Sequence, residues 1–426
     1  MIKRVLKCNK GLTGEITIPS DKSISHRAVM FSSLAKGECT VKNFSSGADC
    51  HSTLNLFKQL GVNIDFTDEK TLKIKSEGTL IPGSNNIYSC GNSGTTMRLV
   101  SGILAGQNFD STLTGDESLS KRPMKRVIEP LTLMGAKIES TDSHAPLYIK
   151  GQPLHGINYS SKLSSAQVKS CILLAGLNAE GETVFTEPYV SRNHTELMLD
   201  YLGADIKVDG NSVTISSSEL EAKDIYVVGD ISSAAFFIVA GLIVPNSDFV
   251  IKNVGFNSTR SGIIDVVRRM NGNVEILNER IVSGELCADI RVKYTEFLKS
   301  CTIEGEDIPR LIDELPVIAV LASQAEGETV VKDAQDLRNK ESDRIKCLTD
   351  ELRKIGVDIE EREDGFIIDG KKRLKGGSEL ESYHDHRLAM SFYVAGLVSE
   401  NEIAINGFEW TKISFPEFEQ LMEKLS

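Results

Sequence analysis

Several short segments of this chain place charged and hydroxyl side chains where helices would begin, the arrangement that binds and transforms small anions. In IPSDKSISHRAVM, Ser20 or Asp21 can cap a helix, with Lys22 and Ser23 in its first turn and Arg27 one turn on. Helix amides and the helix dipole favour an anion there, Lys22 adds a point charge and Ser23 a hydroxyl donor. A solvated helix start with a routine ion pair would use the same residues. The glycines of a GxxxxGK[ST] phosphate loop are absent. In CGNSGTTMRL, Asn92, Ser93, Gly94, Thr95 and Thr96 make an amide-rich turn into a helix, suited to close backbone approach to a ligand oxygen or to a purely structural turn. The loop GDESLSKRPM follows with Lys121 and Arg122, whose planar fork matches a carboxylate or phosphate. In KLSSAQVKS, Ser164, Ser165 and Gln167 offer neutral hydrogen bonds, and the loop EPYVSRNHTE adds Tyr189 and Arg192, a cation for a phosphate.

Acid and base candidates come later in the chain. IPRLIDELPVIAV carries Asp313 and Glu314 ahead of an apolar run, either as helix caps or as a general base in a desolvated cleft. DLRNKESDRIKCL carries Lys340, Glu341, Asp343 and Arg344, and the i,i+4 spacing predicts Lys340 and Arg344 on one helical face, the pattern also of a solvated face. YHDHRLAM brings Asp385, His386 and Arg387 to a helix start. No HExxH, GxSxG or EF-hand pattern accompanies His386, which argues against a metal or a catalytic triad.

The elements that must position these groups repeat. A small-residue, helix-period segment recurs around Ala35, Ala105, Ala175, Ala240, Ala322 and Ala395, at intervals of about 65–82 residues, each running through a turn into a β-branched run. After each of the first five comes a second helix and a short strand: LFKQLGVNIDF, LTLMGAKIES, MLDYLGADIKV, VRRMNGNVEIL and LRKIGVDIEER. Their glycines Gly61, Gly135, Gly203, Gly272 and Gly356 are predicted to take positive φ past the helix end. The sixth copy closes on a terminal helix, FPEFEQLMEKLS. Six copies of one α/β unit divide into two domains of three: residues 20–228, and residues 1–19 with 229–426. The chain would cross near 19–20 and near 228–230, at VVGDISS, with the N-terminal strand pairing in the C-terminal half. The polar clusters fall at corresponding places in five copies, which predicts a shared cleft.

Composition sets outer limits. A chain of 426 residues, 40% hydrophobic and 25% charged, suits a two-domain globular enzyme. A net charge of −12 argues against a broad nucleic-acid or membrane surface, while leaving room for a cationic cleft. Eight scattered cysteines without zinc spacing read as reduced thiols, and no signal-peptide core or apolar run long enough for a span is visible. A cytoplasmic location is the expectation.

The set DKSISHR, GNSGTTMRL, SKRPM, SSAQVKS, IDELP, LRNKESDR and YHDHRLAM resembles the EPSP synthases, of the enolpyruvyl transferases, in order and over nearly the whole chain. The resemblance implies a two-domain α/β fold, each domain three βαβαββ units forming an inverse α/β barrel, that closes like a clam. It implies transfer of the enolpyruvyl group of phosphoenolpyruvate to the 5-hydroxyl of shikimate 3-phosphate with release of phosphate, a step of the shikimate pathway toward chorismate and aromatic amino acids. Carried across, Lys22, Ser23, Arg27, Ser165, Gln167, Arg192, Asp313 and Lys340 meet shikimate 3-phosphate. Lys22, Gly94, Arg122, Gln167, Arg344 and Arg387 meet phosphoenolpyruvate. Asp313 takes the hydroxyl proton, and Glu341 with Lys22 delivers one to the methylene carbon. No cofactor and no metal are implied, and the family expectation is a monomer. Gly94 leaves room for the inhibitor glyphosate where some tolerant members carry Ala. Two positions depart from the pattern: Ile413, beside Lys412, stands where some members have Lys, and Asp336 where some have Asn.

Three rival functions share features of this sequence. The UDP-N-acetylglucosamine enolpyruvyl transferases typically have a Cys, occasionally Asp, in the loop before Arg-Pro, and Asn after the lysine that corresponds to Lys22. Here GDESLSKRP has no Cys and Ser23 follows Lys22. A non-catalytic repeat protein that only binds anions would not need Asp313 or Glu341. An RNA-end cyclase built on related repeats would want a basic face.

Overall fold

The helix that opens each copy forms where the small-residue segments lie: Lys22–Leu34, Gly94–Ala105, Ala166–Gly176, Ile231–Ile243, Leu315–Ser323 and His386–Gly396. Four start on a carboxylate or hydroxyl that accepts a backbone N–H: Asp21 from Ile24 (2.8 Å), Ser93 from Thr96 (3.1 Å), Asp230 from Ser232 (2.8 Å) and Asp385 from Arg387 (2.9 Å). The structure, a computed structural model, describes residues 1–370 and 373–426. It divides into two compact units: Ser20–Val228 with Ile281–Glu285, and Met1–Pro19 with Gly229–Arg280 and Leu286–Ser426.

In the first unit each copy contributes one sheet. Ala35–Lys42 pairs antiparallel with Thr71–Glu77, which pairs with Asn63–Asp68. Ile87–Ser89 runs parallel to Ser111–Thr114, followed by His144–Lys150 and Lys137–Thr141; Asn158–Ser160 runs parallel to Thr183–Thr186, followed by Ser212–Ile215 and Ile206–Asp209. The parallel edge of the first sheet comes from the end of the unit, where Leu220–Glu221 and Ile225–Tyr226 lie along Ala35–Lys42.

The second unit repeats this plan with strands borrowed from the N-terminus. Thr13–Thr17 runs parallel to Asp248–Gly255, beside the hairpin of Glu285–Lys293 and Asn273–Val282. Thr302–Ile303, Glu328–Val331, Gly365–Asp369 and Asp358–Arg362 form the next sheet, and Glu379–Glu381, Ile403–Asn406 and Ile2–Val5 the last.

Burial explains the layering. Thr71–Glu77 buries Leu72, Ile74 and Ser76 and exposes the residues between, the period of a sheet with one wet face. All thirteen residues of Ile231–Ile243 are buried, as they must be in a helix enclosed on every side. Within each unit the sheets therefore lie outside and the three small-residue helices at the centre. The Ala-Gly-Leu at three helix ends lets helix press on strand. A Cβ on Gly176 would sit 2.8 Å from Thr183 Oγ1, on Gly241 2.6 Å from Phe249 Cε1, and on Gly396 2.7 Å from Val5 Cγ1.

The helix-end prediction needs one correction. Gly61, Gly135, Gly203 and Gly356 have positive φ, but in the fourth copy Asn271 takes that conformation (φ 65°) and Gly272 does not. Asn271 N–H bonds Arg268 O and Gly272 N–H bonds Val267 O, so Asn271 fills the left-handed position, which Asn tolerates well. Gly272 is small for a different reason: a Cβ there would lie 2.5 Å from Val267 Cγ1. Among the described residues no helix is long and apolar enough to cross a membrane.

Candidate active site

In the first unit the predicted residues from all three copies are joined by hydrogen bonds. Lys22, at the first turn of its helix, reaches Asp49 Oδ2 at 3.2 Å. Arg27 is buried, donating from Nε to Thr195 Oγ1 (2.7 Å), from Nη1 to the Ser23 carbonyl (2.9 Å) and from Nη2 to Ser170 Oγ (2.8 Å). Burial, then the nearby Arg192 charge, lowers its pKa to about 10. Arg192 Nη1 donates to Ser23 Oγ at 3.3 Å, so a loop of the third copy meets a helix start of the first. Gln167 accepts from Arg98 Nη1 at 2.7 Å and donates to Thr95 Oγ1 at 3.0 Å, linking the third copy to the second. Arg122 Nη2 donates to Asn92 Oδ1 at 3.1 Å, and a Cβ on Gly94 would lie 2.9 Å from Arg98 Nη1 and 3.6 Å from Arg122 Nη1. Ser165 precedes its helix without a side-chain capping bond, and Ser164 Oγ donates to the Tyr189 carbonyl at 2.7 Å.

In the second unit the acids and cations form a single cluster. Asp313 Oδ1 lies 3.2 Å from Lys340 Nζ and 3.6 Å from Arg344 Nη1, and the Asp313 carbonyl accepts from Arg387 Nη1 at 3.0 Å. Arg344 is enclosed: Nε donates to Asp385 Oδ2 at 2.7 Å and Nη2 to Glu341 Oε2 at 2.5 Å. Burial alone would weaken its hold on the proton, but Asp385, Glu341 and Asp313 outweigh that and raise its pKa. Glu314, fully buried, lies 3.7 Å from Arg260 Nη1 and 3.8 Å from Arg387 Nη1 and accepts from the Ser232 hydroxyl. His386 is buried and held neutral, its pKa lowered to about 4 by burial. Such an arrangement offers cations for two anionic groups and two carboxylates within one cluster.

Two local expectations change. Lys340 and Arg344 do not share a helical face. The chain is a 3₁₀ turn over Gln335–Asn339, extended at Lys340, and helical only from Arg344, because Asp343 caps that helix by accepting from Lys346 N–H at 3.1 Å. The two side chains meet at Asp313 instead. Nor does Asp313 or Glu314 cap a helix: Glu314 stands in the capping position with αR backbone and no capping bond. Arg98, Asp49 and Lys169 enter only with the structure. Arg98 follows Gly94 by one helical turn, so helical periodicity could have found it, whereas Asp49 and Lys169 become relevant only through tertiary contacts. Asp336 lies in the 3₁₀ turn, and Lys412 and Ile413 in another, Phe408–Ile413.

Comparison with known proteins matches residues 6–422 to the family model for EPSP synthase (3-phosphoshikimate 1-carboxyvinyltransferase). A relative from Thermodesulfovibrio yellowstonii named 3-phosphoshikimate 1-carboxyvinyltransferase is 51% identical over 429 residues, covering all of both chains. One of the same name from Thermoanaerobacter sp. strain X514 is 51% identical over 422 residues, 99% of each. An EPSP synthase structure from Acinetobacter baumannii superposes with TM-score 0.91 at 44% identity, covering 100% of this chain and 98% of that one. The enolpyruvyl transferase NikO from Streptomyces tendae, at 16% identity and TM-score 0.80 over 100% of this chain and 97% of its own, shares the fold.

Proposed function

This chain belongs to the EPSP synthase (3-phosphoshikimate 1-carboxyvinyltransferase) family, and on that premise we propose that it transfers the enolpyruvyl group of phosphoenolpyruvate to the 5-hydroxyl of shikimate 3-phosphate, releasing phosphate. The observation that carries the reading is Asp313 placed against Lys340 and Arg344, a carboxylate next to cations that can receive an anionic substrate.

The division of labour is the one that the family resemblance implies, and the charges of these residues suit it. Lys22, Ser23, Arg27, Ser165, Gln167 and Arg192 take shikimate 3-phosphate, with Lys340 and Asp313 at its reacting side. Arg27 contributes largely by fixing Ser23, since all three of its nitrogens are hydrogen-bonded inside the protein. Arg122, Arg344, Arg387 and Gly94 take phosphoenolpyruvate, with Lys22 and Gln167 touching both substrates. Asp313 accepts the 5-hydroxyl proton as that oxygen bonds to C2. Glu341, with Lys22, delivers a proton to C3. The resulting tetrahedral adduct loses phosphate as C3 gives a proton back, restoring the double bond on the new ether. General acid–base help of this kind contributes roughly 10²–10⁴ in rate, and orientation of the two reactants contributes further.

Phosphate release from phosphoenolpyruvate tests the reading directly. Release should require shikimate 3-phosphate and should not occur with UDP-N-acetylglucosamine. Release with the nucleotide sugar alone, or with neither acceptor, would sink it.

A further inference from the structure

Some buried charged groups have no task in the mechanism. Lys169, one turn inside the helix Ala166–Gly176, is 1% exposed, and its ammonium lies 2.8 Å from Glu187 Oε1 and 2.8 Å from Glu196 Oε1. It also donates to the Ser191 carbonyl at 3.1 Å. Glu187 Oε1 in turn accepts from Ser191 N–H at 2.8 Å and from Ser191 Oγ at 3.0 Å. An ammonium taken from water is costly unless fully paired, and here it has three acceptors, which holds Lys169 and its partners in one geometry even though Glu187 Oε2 and Glu196 Oε2 accept no hydrogen bond. The residue after Ser191 is Arg192, whose Nη1 reaches Ser23 Oγ. A second rung runs alongside: Ser170 and Thr195, neighbours of Lys169 and Glu196, both accept from Arg27.

We propose that Lys169, with Glu187, is a positioning residue for Arg192. It pins Ser191 to the interior so that the guanidinium next in the chain is presented to the phosphate of shikimate 3-phosphate without ordering the loop at the moment of binding. The inference rests on the proposed function, since it concerns how that substrate is held.

Glu187→Gln keeps the side chain's shape while removing one counter-charge and weakening the hold on Ser191. Its KM for shikimate 3-phosphate should rise about three- to tenfold, with kcat and the KM for phosphoenolpyruvate within about twofold of wild type. In an Arg192→Ala background the same substitution should add no further rise, because the group it positions is gone. An equal rise in both backgrounds, or a fall in thermal stability with both KM values unchanged, would overturn the proposal in favour of a purely structural knot. Should Glu187→Gln not fold, Ser191→Ala removes only the hydroxyl link and must give a smaller shift in the same parameter, again lost in the Arg192→Ala background. Failure of wild type to bind shikimate 3-phosphate in calorimetry would instead strike at the function.

Discussion

Arg344 and Asp385 form a closed pair: the Arg344 guanidinium is 1% exposed, the Asp385 side chain is fully buried, and Nε meets Oδ2 at 2.7 Å with Nη2 at 3.3 Å from Oδ1. Asp385 also accepts from Arg387 N–H and from the Ser342 hydroxyl, so one carboxylate orders two arginines assigned to phosphoenolpyruvate. Removing it leaves a buried cation short of its main counter-charge. Asp385→Ala should cost about 3–5 kcal/mol of stability and raise the KM for phosphoenolpyruvate at least about tenfold, read by urea unfolding and steady-state kinetics. Normal stability with an unchanged KM would contradict the role given to the pair.

Proton transfer should be separable from binding. Asp313→Ala and Glu341→Gln should each lower kcat by about 10²–10⁴, while shikimate 3-phosphate still binds in calorimetry. Wild-type turnover in both would strip these two carboxylates of their proton-transfer roles.

The missing side chain at Gly94 should set inhibitor response. The first atom a Cβ would meet is the end of the flexible Arg98 side chain, so Gly94→Ala should fold normally. It should raise the KM for phosphoenolpyruvate and weaken inhibition by glyphosate, measured as the inhibition constant. A wild-type rate unchanged by millimolar glyphosate would refute the sensitivity itself.

Acid should destabilise the fold through two buried histidines. Burial lowers His26 from 6.5 to about 3 and His386 from 6.5 to about 4. The folded state then holds fewer protons than the unfolded chain at mildly acid pH. Their stabilising effect is therefore intact above pH 6.5 and is lost as pH falls toward the folded values. Between pH 7 and 4.5 each histidine should remove about 2–3 kcal/mol. His26→Asn should flatten the fall in urea midpoint over that range; an identical slope would reject the assignment.

Packing gives a last expectation. A methyl on Gly241 would press on Phe249 Cε1 at 2.6 Å and Val292 Cγ1 at 2.8 Å, both in the core. Gly241→Ala should cost about 1–3 kcal/mol, seen as a lower urea midpoint without a change in either KM.

Sequence alone specified the local pieces. Six small-residue helices, their polar starts and the strands after them are visible because helix caps, periodicity and turn residues act within a few residues of one another. The exceptions were also local, and each was decided by a competing short-range bond. Asn271 takes the left-handed turn that the pattern predicts for Gly272, and Asp343 begins a helix that the i,i+4 spacing predicts to include Lys340. Which side chains would touch was not a local matter. Lys340 and Arg344 meet on Asp313, Arg98 holds Gln167, and Lys169 ties Glu187 to Glu196, all across elements whose proximity follows from enclosing the helices within sheets. Burial then set the charges: the same Arg and His types became a strengthened guanidinium at Arg344 and a neutral imidazole at His386, because carboxylates surround the one and desolvation dominates the other.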